Sequence, residues 1–434
     1  MRALRPSLGL FTILGSFLIA LPAHAASITY QHKHFLFTIT IDKSWNAPHE
    51  QWFFHDVPAM PTFCSDDCQN VQIPEGWSKK MVDGWNEEAV RKTLEEKIAI
   101  PFNRSAGNVT IRKTETGSIS FEGVGLPGRE VDIAMAAGMT KKAIEESITN
   151  IVLPVRMTEP IINVDSELQA MGIRELVTVG ESDFTGSTKS RRHNVRTGLA
   201  KFNGHLVPQG ETFSFVETLG PVTAAAGYLK ELVIQGDRTV PDYGGGLCQV
   251  SSTAYRGVWE YGFPIVQRKN HSYTVSYYSP QGTDATVYPP SVDIKFKNDS
   301  PGALLLQTHM DEEHTDAFFI YYGTKDTRTS EVFGPYTWSR SAAPTEKRIE
   351  YTTDIPPGTE RKLGERVPGM SVSWFRSVTM PQGTGALLTE TYSVYQARPL
   401  FYQVGVTPEE LPTFTGSGAI APGSKSDAAV DINS

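Results

Sequence analysis

Apolar and polar positions along this 434-residue chain change period several times, and each change marks a predicted element. Residues 35–41 alternate with the two-residue period of a strand, whereas residues 82–98 carry a helical spacing expected to end before Pro101. Residues 109–111 and 118–121 read as strands about a turn, residues 139–148 as a helix and residues 151–155 as a strand. Together they make residues 27–179 one expected α+β domain.

A second unit is expected over residues 180–309. The polar stretch 181–190 leads into a helix over 191–202, with Val195, Leu199 and Phe202 on one side and Asn203-Gly204 at its end. Pro208-Gln209-Gly210-Glu211 predicts a turn into a strand at 212–215. A helix over 247–261 stops at Gly262-Phe263-Pro264, and strands follow at 272–278, 285–288, 292–296 and 303–307. The third unit, 318–404, is dense in strand signals, with 348–352 and 371–375 alternating well. It holds neither cysteine nor histidine, so no chemistry is expected there. The expected class is α+β and multidomain: an α+β N-terminal domain, a mixed α+β middle domain and a β-rich C-terminal module. The tail 408–434, rich in Pro, Gly, Ser and Ala, is expected to be disordered.

The first residues add a destination. Arg2 and Arg5 precede the apolar run 8–21, and Ala23-His24-Ala25 supplies a small-x-small cleavage pattern, so residues 1–25 read as a signal peptide. The run is short of the roughly 20 residues of a stable span, and no later stretch is apolar enough to cross a bilayer. An exported protein is expected, periplasmic, wall-associated or extracellular, without a membrane span once the leader is removed. The formal charge of −8 grows more negative without the leader arginines, and no dense Lys/Arg run suits nucleic acid.

The chain has three cysteines. Cys64 and Cys68 lie in one polar loop, where an oxidising compartment favours a disulfide and two ligands are too few for a metal site. Cys248 is left unpaired, behind Gly244-Gly245-Gly246 and at a predicted helix start. There, unpaired N–H groups and the helix dipole favour a thiolate. On a helical count, Leu247, Val250, Ala254, Val258 and Tyr261 form one core stripe. Cys248 falls away from it, among Ser251, Ser252, Tyr255 and Trp259.

His271 is the natural base, expected at the start of a strand that puts Tyr273, Val275 and Tyr277 on its face. Asp284 and Asp293 are alternative third groups, and Arg268 is placed to hold a substrate carboxylate or a neighbouring aspartate. Gly245, Gly246, Gln249 and Ser251 join Arg268 as candidate oxyanion or substrate contacts. The structural alternatives are a cysteine that fills space, a histidine held in a core and glycines that allow close packing. No HExxH, Cys-rich, P-loop or dinucleotide spacing is present, so neither metal nor cofactor is expected.

Residues 184–307 resemble the VanW domain of bacterial exported proteins. The likeness runs in order through Arg191 and Asn194, Pro208-x-Gly210-Glu211-Thr212-Phe213-Ser214-Phe215, Gly220-Pro221 and Gly227-Tyr228. It continues through residues 244–253 (GGGLCQVSST), Arg268, His271-Ser272, residues 282–287 (GTDATV), Asp293 and Asn298. The N-terminal region looks similar to the peptidoglycan-binding domain placed before VanW and YkuD-type domains. The third unit resembles small β-rich modules named for five glycines, through Gly358, Gly364, Gly369, Gly405 and its Ile-Glu-Tyr-Thr opening. Some family members are cell-wall L,D-transpeptidases, which implies Cys248 as nucleophile and peptidoglycan stem peptides as substrate. A cysteine peptidase cutting wall peptides and a non-catalytic wall-binding scaffold are the alternatives.

Overall fold

The computed structural model describes residues 27–59, 73–235, 238–381 and 385–411. The expected leader 1–25, the expected Cys64–Cys68 disulfide and all but the first four residues of the expected tail lie outside these residues. The fold is mixed α/β, with mostly strands and few helices. Strand content outweighs the α+β balance expected from the pattern.

The chain divides into two compact units, one of residues 27–104 with 129–157 and one of residues 105–128 with 158–411. In the first, Ser27–His32 pairs antiparallel with Phe35–Thr40 and parallel with Asn150–Val152. Its helices cover a core that includes Tyr30, Trp45, Leu94, Ile98 and Phe102. The helix expected over 82–98 starts at Glu87, because Asn86 caps it by accepting from Ala89 N at 3.1 Å. It continues beyond Pro101, which occupies the first turn of a further helical segment, Ile100–Phe102, where a missing N–H costs little. The helix expected over 139–148 spans Ile133–Glu145, and Pro154 splits the expected strand 151–155 in two.

The second unit is built on a four-stranded sheet in the order Glu175–Asp183, Asp316–Gly323, Leu304–Asp311, Leu206–Val207. Against its first strand lies the long helix Leu247–Tyr261, which coincides with the expected one. Their approach is very close: a Cβ on Gly180 would sit 1.9 Å from Thr253 O, and one on Gly257 2.6 Å from Gly180 N. Glycine at both positions is what lets the helix seat. Val250, Ala254 and Val258 then join Val195, Leu199, Phe202, Phe319 and Tyr321 in one core.

The expected boundaries at 179 and 318 differ from this division. Val109 and Ile111 pack with Leu305, Ile320 and Tyr322, so the hairpin that carries them belongs with the later unit. Strand alternation names a buried face without naming the core it enters. Likewise, Val372, Trp374 and Tyr395 from the expected third module enter the core around the long helix. Trp374 meets Trp259 edge-on at 5.8 Å and donates Nε1 to Gln281 O at 2.8 Å.

Candidate active site

The glycine loop sets the start of the long helix. Gly244 and Gly246 have φ of +82° and +112°, a left-handed region that side chains disfavour. A Cβ on Gly245 would lie 2.7 Å from Leu232 O. Asn194 pins the loop by donating Nδ2 to Gly245 O and Leu229 O, each at 3.0 Å. Leu247 N and Gln249 N bond back to Gly244 O and Gly246 O, whereas Cys248 N has no backbone acceptor among the described residues.

From Leu247 to Glu260 the helix is buried at every position except Cys248, which is half-buried. The helix is therefore not one-sided as the stripe implied. Its second face, with Ser251, Ser252, Tyr255 and Trp259, is covered by the segment around Ala285 and by the later strands.

His271, Asp284 and Cys248 come together. His271 Nδ1 lies 2.6 Å from Asp284 Oδ2, and the same oxygen accepts from His271 N at 2.8 Å. Two contacts to one oxygen fix the ring's tilt and leave Nε2 for the thiol. Nε2 is buried without a fully formed hydrogen bond among the described residues, yet Cys248 and His271 are close enough to shift each other's titration. Cys248 Sγ is also 3.4 Å from Thr286 Oγ1 and 3.9 Å from Val287 O. The Tyr278 ring stacks on the imidazole at 4.4 Å and 11°.

Charge follows from this geometry. Burial pushes the Cys248 thiol up, but the His271 imidazole and then the Thr286 hydroxyl outweigh it, lowering the thiol to about 7. Burial pushes His271 down, and the Asp284 carboxylate and the thiolate reverse this, raising it to about 9. Burial works against the Asp284 charge as well, yet the imidazole and the Arg268 guanidinium hold its carboxyl far below the usual range. Between about 7 and about 9 the stable form is a thiolate beside an imidazolium.

The other expected residues have different places. His271 does not begin a strand: residues 272–279 are irregular, with only the 3₁₀ turn Ser276–Tyr278. Residues 285–288 form no strand either, because Ala285 is held by Ser251 Oγ at 2.6 Å and Ser252 Oγ at 2.9 Å. Ser251 and Gln249, expected at the substrate, are instead buried in internal hydrogen bonds. Gln249 accepts from Arg191 Nη2 and donates to Ser182 Oγ and Asp183 O. Arg268 spends its donors on Asp284, Gly282 O and Ser393 Oγ. Asp293, the alternative third group, accepts from Ser214 Oγ and from the backbone of Val216 and Ile294.

Sequence reasoning missed Thr286, Tyr278, Tyr395 and Arg256. Buried Arg256 donates to the carbonyls of Glu181, Tyr278, Ser279 and Thr283, pinning the loop between His271 and Asp284. Tyr395 donates to Asp284 Oδ1 and accepts from Gly282 N at 2.7 Å, although no chemistry was expected after residue 318. No local spacing signals either role, since both depend on partners far along the chain.

Fold and site together define a mixed α/β protein with a Cys–His–Asp constellation at the head of a glycine-led helix. Residues 190–319 match the family model described as VanW like protein. The chain is 35% identical over 158 residues to "Uncharacterized protein YoaR" of Bacillus subtilis (strain 168), covering 36% of this chain and 52% of the relative. It is 26% identical over 125 residues to "Vancomycin B-type resistance protein VanW" of Enterococcus faecalis (strain ATCC 700802 / V583), covering 28% and 45%. The chain thus spans about half the length of these curated relatives. Among the described residues no helix is long and apolar enough to cross a membrane.

Proposed function

We propose that this is an exported, multidomain cell-wall protein that transfers acyl groups between peptidoglycan stem peptides through Cys248, in the manner of an L,D-transpeptidase. The observation that carries the reading is a half-buried thiol lowered to about 7 beside an imidazole held by a buried carboxylate. The relative named for vancomycin resistance supports the cell-wall setting.

In the proposed reaction the Cys248 thiolate attacks the carbonyl of the donor's third residue. The Cys248 N–H, without a backbone acceptor among the described residues, is the proposed donor to the developing oxyanion. The C–N bond breaks, imidazolium His271 gives its proton to the departing amine, and a thioester remains. An acceptor amine then attacks, losing its proton to neutral His271, and the thiolate is released.

Incubating the full-length mature protein and Cys248→Ala with tetrapeptide-bearing muropeptides, followed by mass spectrometry, tests this. Cross-linked dimers and free D-alanine, both lost in Cys248→Ala, are expected. Shortened monomers without dimers would mean a peptidase, and an unchanged mixture would leave a wall-binding scaffold.

A further inference from the structure

Three arginines of the second unit have their charge or their N–H groups answered. Arg268 pairs with Asp284, Arg328 with Asp299 and Asp326, and Arg256 is surrounded by four backbone carbonyls. Arg191 differs. It sits on the helix Lys189–Ala200 and is only 8% exposed. Nη2 donates to Gln249 Oε1 at 3.1 Å, and the guanidinium lies 4.3 Å from the centre of the Tyr277 ring. Nη1 is buried with no hydrogen-bond partner among the described residues. A guanidinium N–H so enclosed without an acceptor is costly, and here it is available to a ligand.

The location is adjacent to the thiol. A Cβ on Gly246 would meet Arg191 Cγ at 3.1 Å, so the stem of the arginine lies along the loop that precedes Cys248. Tyr278, stacked on His271, has its hydroxyl within reach of the Arg191 guanidinium and also feels the Cys248 charge. Glu231 is the carboxylate that feels Arg191, and it is committed elsewhere, accepting from Thr188 Oγ1, Ser190 Oγ and Leu232 N.

We infer that Arg191 binds a free carboxylate of the donor peptide, the one carried by the terminal residue whose amine departs. This rests on the proposed acyl transfer. In such a donor the carboxylate is one Cα beyond the scissile nitrogen, within a few ångströms of the attacked carbonyl. A guanidinium matches it with parallel N–H donors, and the unused Nη1 supplies one of them. Tyr277, half-buried and tied to Gly186 O by a single long 3.4 Å hydrogen bond, is the cover that yields to the ligand. The arginine thereby measures the donor's length: the scissile bond must be the last one.

The test compares a tetrapeptide donor ending in a free carboxylate with its C-terminal primary amide, in wild type, Arg191→Lys and Arg191→Gln. Wild type is expected to favour the acid by about tenfold or more in kcat/KM, the worth of a hydrogen bond to a charged group. Arg191→Gln should bring the ratio near one, and Arg191→Lys should keep part of it. Equal use of acid and amide by wild type overturns the inference. So does an equal loss on both donors in Arg191→Gln, which a structural arginine would give. Protection of Cys248 from iodoacetamide by the two peptides reads the same preference without turnover. Acid-selective protection that Arg191→Gln abolishes supports the carboxylate site even where no product forms; unselective or absent protection sinks it.

Discussion

Tyr395 donates its hydroxyl hydrogen to Asp284 Oδ1, joining the last residue of the strand Ala386–Tyr395 to a carboxylate more than a hundred residues earlier. Asp284 is almost wholly buried, and a carboxylate is kept charged there only by donors. It has four of them: His271 N, His271 Nδ1, Arg268 Nη2 and the Tyr395 hydroxyl. The VanW match ends at residue 319, so one of the four donors to the carboxylate that orients the imidazole comes from outside it.

Tyr395→Phe removes that donor while keeping the ring in the core. A hydrogen bond to a charged group contributes about 1.5–3 kcal/mol, so the proposed transfer should fall roughly tenfold or more. With one competitor gone, the carboxylate pulls harder on the imidazolium, and the alkaline limb of the pH profile should move above about 9. Tyr321→Phe is the control: it also loses one buried hydrogen bond, to Ala254 O at 2.9 Å, but should leave the profile in place. Identical profiles for both variants would reduce Tyr395 to packing.

Much of the site was legible because it rests on a helix. The period around Cys248 needs no partner to be read, and the helix Leu247–Tyr261 coincides with the expected one. Asp284 was one of two carboxylates considered, and Arg268 already had an aspartate as an alternative partner. The loop from His271 to Asp284 was misread as strand because Tyr273, Val275 and Tyr277 alternate as a strand would. What holds that loop is Arg256, reaching across from the long helix to its carbonyls. Tyr395 was out of reach for the same reason: a strand residue's pattern says nothing about which distant carboxylate its hydroxyl meets.

Cys248 should react with iodoacetamide well below the pH an ordinary thiol needs. The thiolate appears as pH rises through about 7, and the imidazolium beside it persists until about 9. The proposed transfer should therefore rise across the first value and fall across the second. In His271→Ala the charge that favours the thiolate is gone and burial still opposes it. Its alkylation midpoint should move up, to about 8.5 or beyond. An unmoved midpoint would show that the imidazole does not act on the thiol.

Asp284→Asn separates orientation from charge. An amide can still meet His271 N, but it cannot stabilise the imidazolium, so burial is opposed by the thiolate alone and His271 should fall below about 9. Loss of the orienting carboxylate in comparable relays costs on the order of 10⁴ in rate, and a large loss is expected here. Stability carries a second signature. The folded pKa of Asp284 is depressed, so its stabilising effect is present above the unfolded value near 4 and is lost as pH falls toward the folded one. The deficit in Tm of Asp284→Asn should thus be largest near neutrality and shrink in acid, as calorimetry across pH would show.

Gly180→Ala tests whether the long helix must seat this closely. The added methyl would lie 1.9 Å from Thr253 O and 2.9 Å from Gly257 N, both backbone atoms of the helix that carries Cys248. Backbone cannot swing aside as a side chain does, so the helix must shift or tilt. Overpacking of this kind costs about 1–3 kcal/mol, which for a unit of this size lowers Tm by roughly 2–4 °C per kcal/mol. The shift also moves Cys248 relative to His271, so the alkylation midpoint should rise along with the loss of stability. Gly138→Ala provides the contrast: that glycine is exposed on the helix Ile133–Glu145 with nothing within 4 Å of its added Cβ. There, alanine's better helix propensity should leave thiol reactivity alone and stabilise by up to about 1 kcal/mol. Wild-type Tm and wild-type alkylation in Gly180→Ala would mean that the strand and helix do not meet at this distance, and the placement of the thiol would need another explanation.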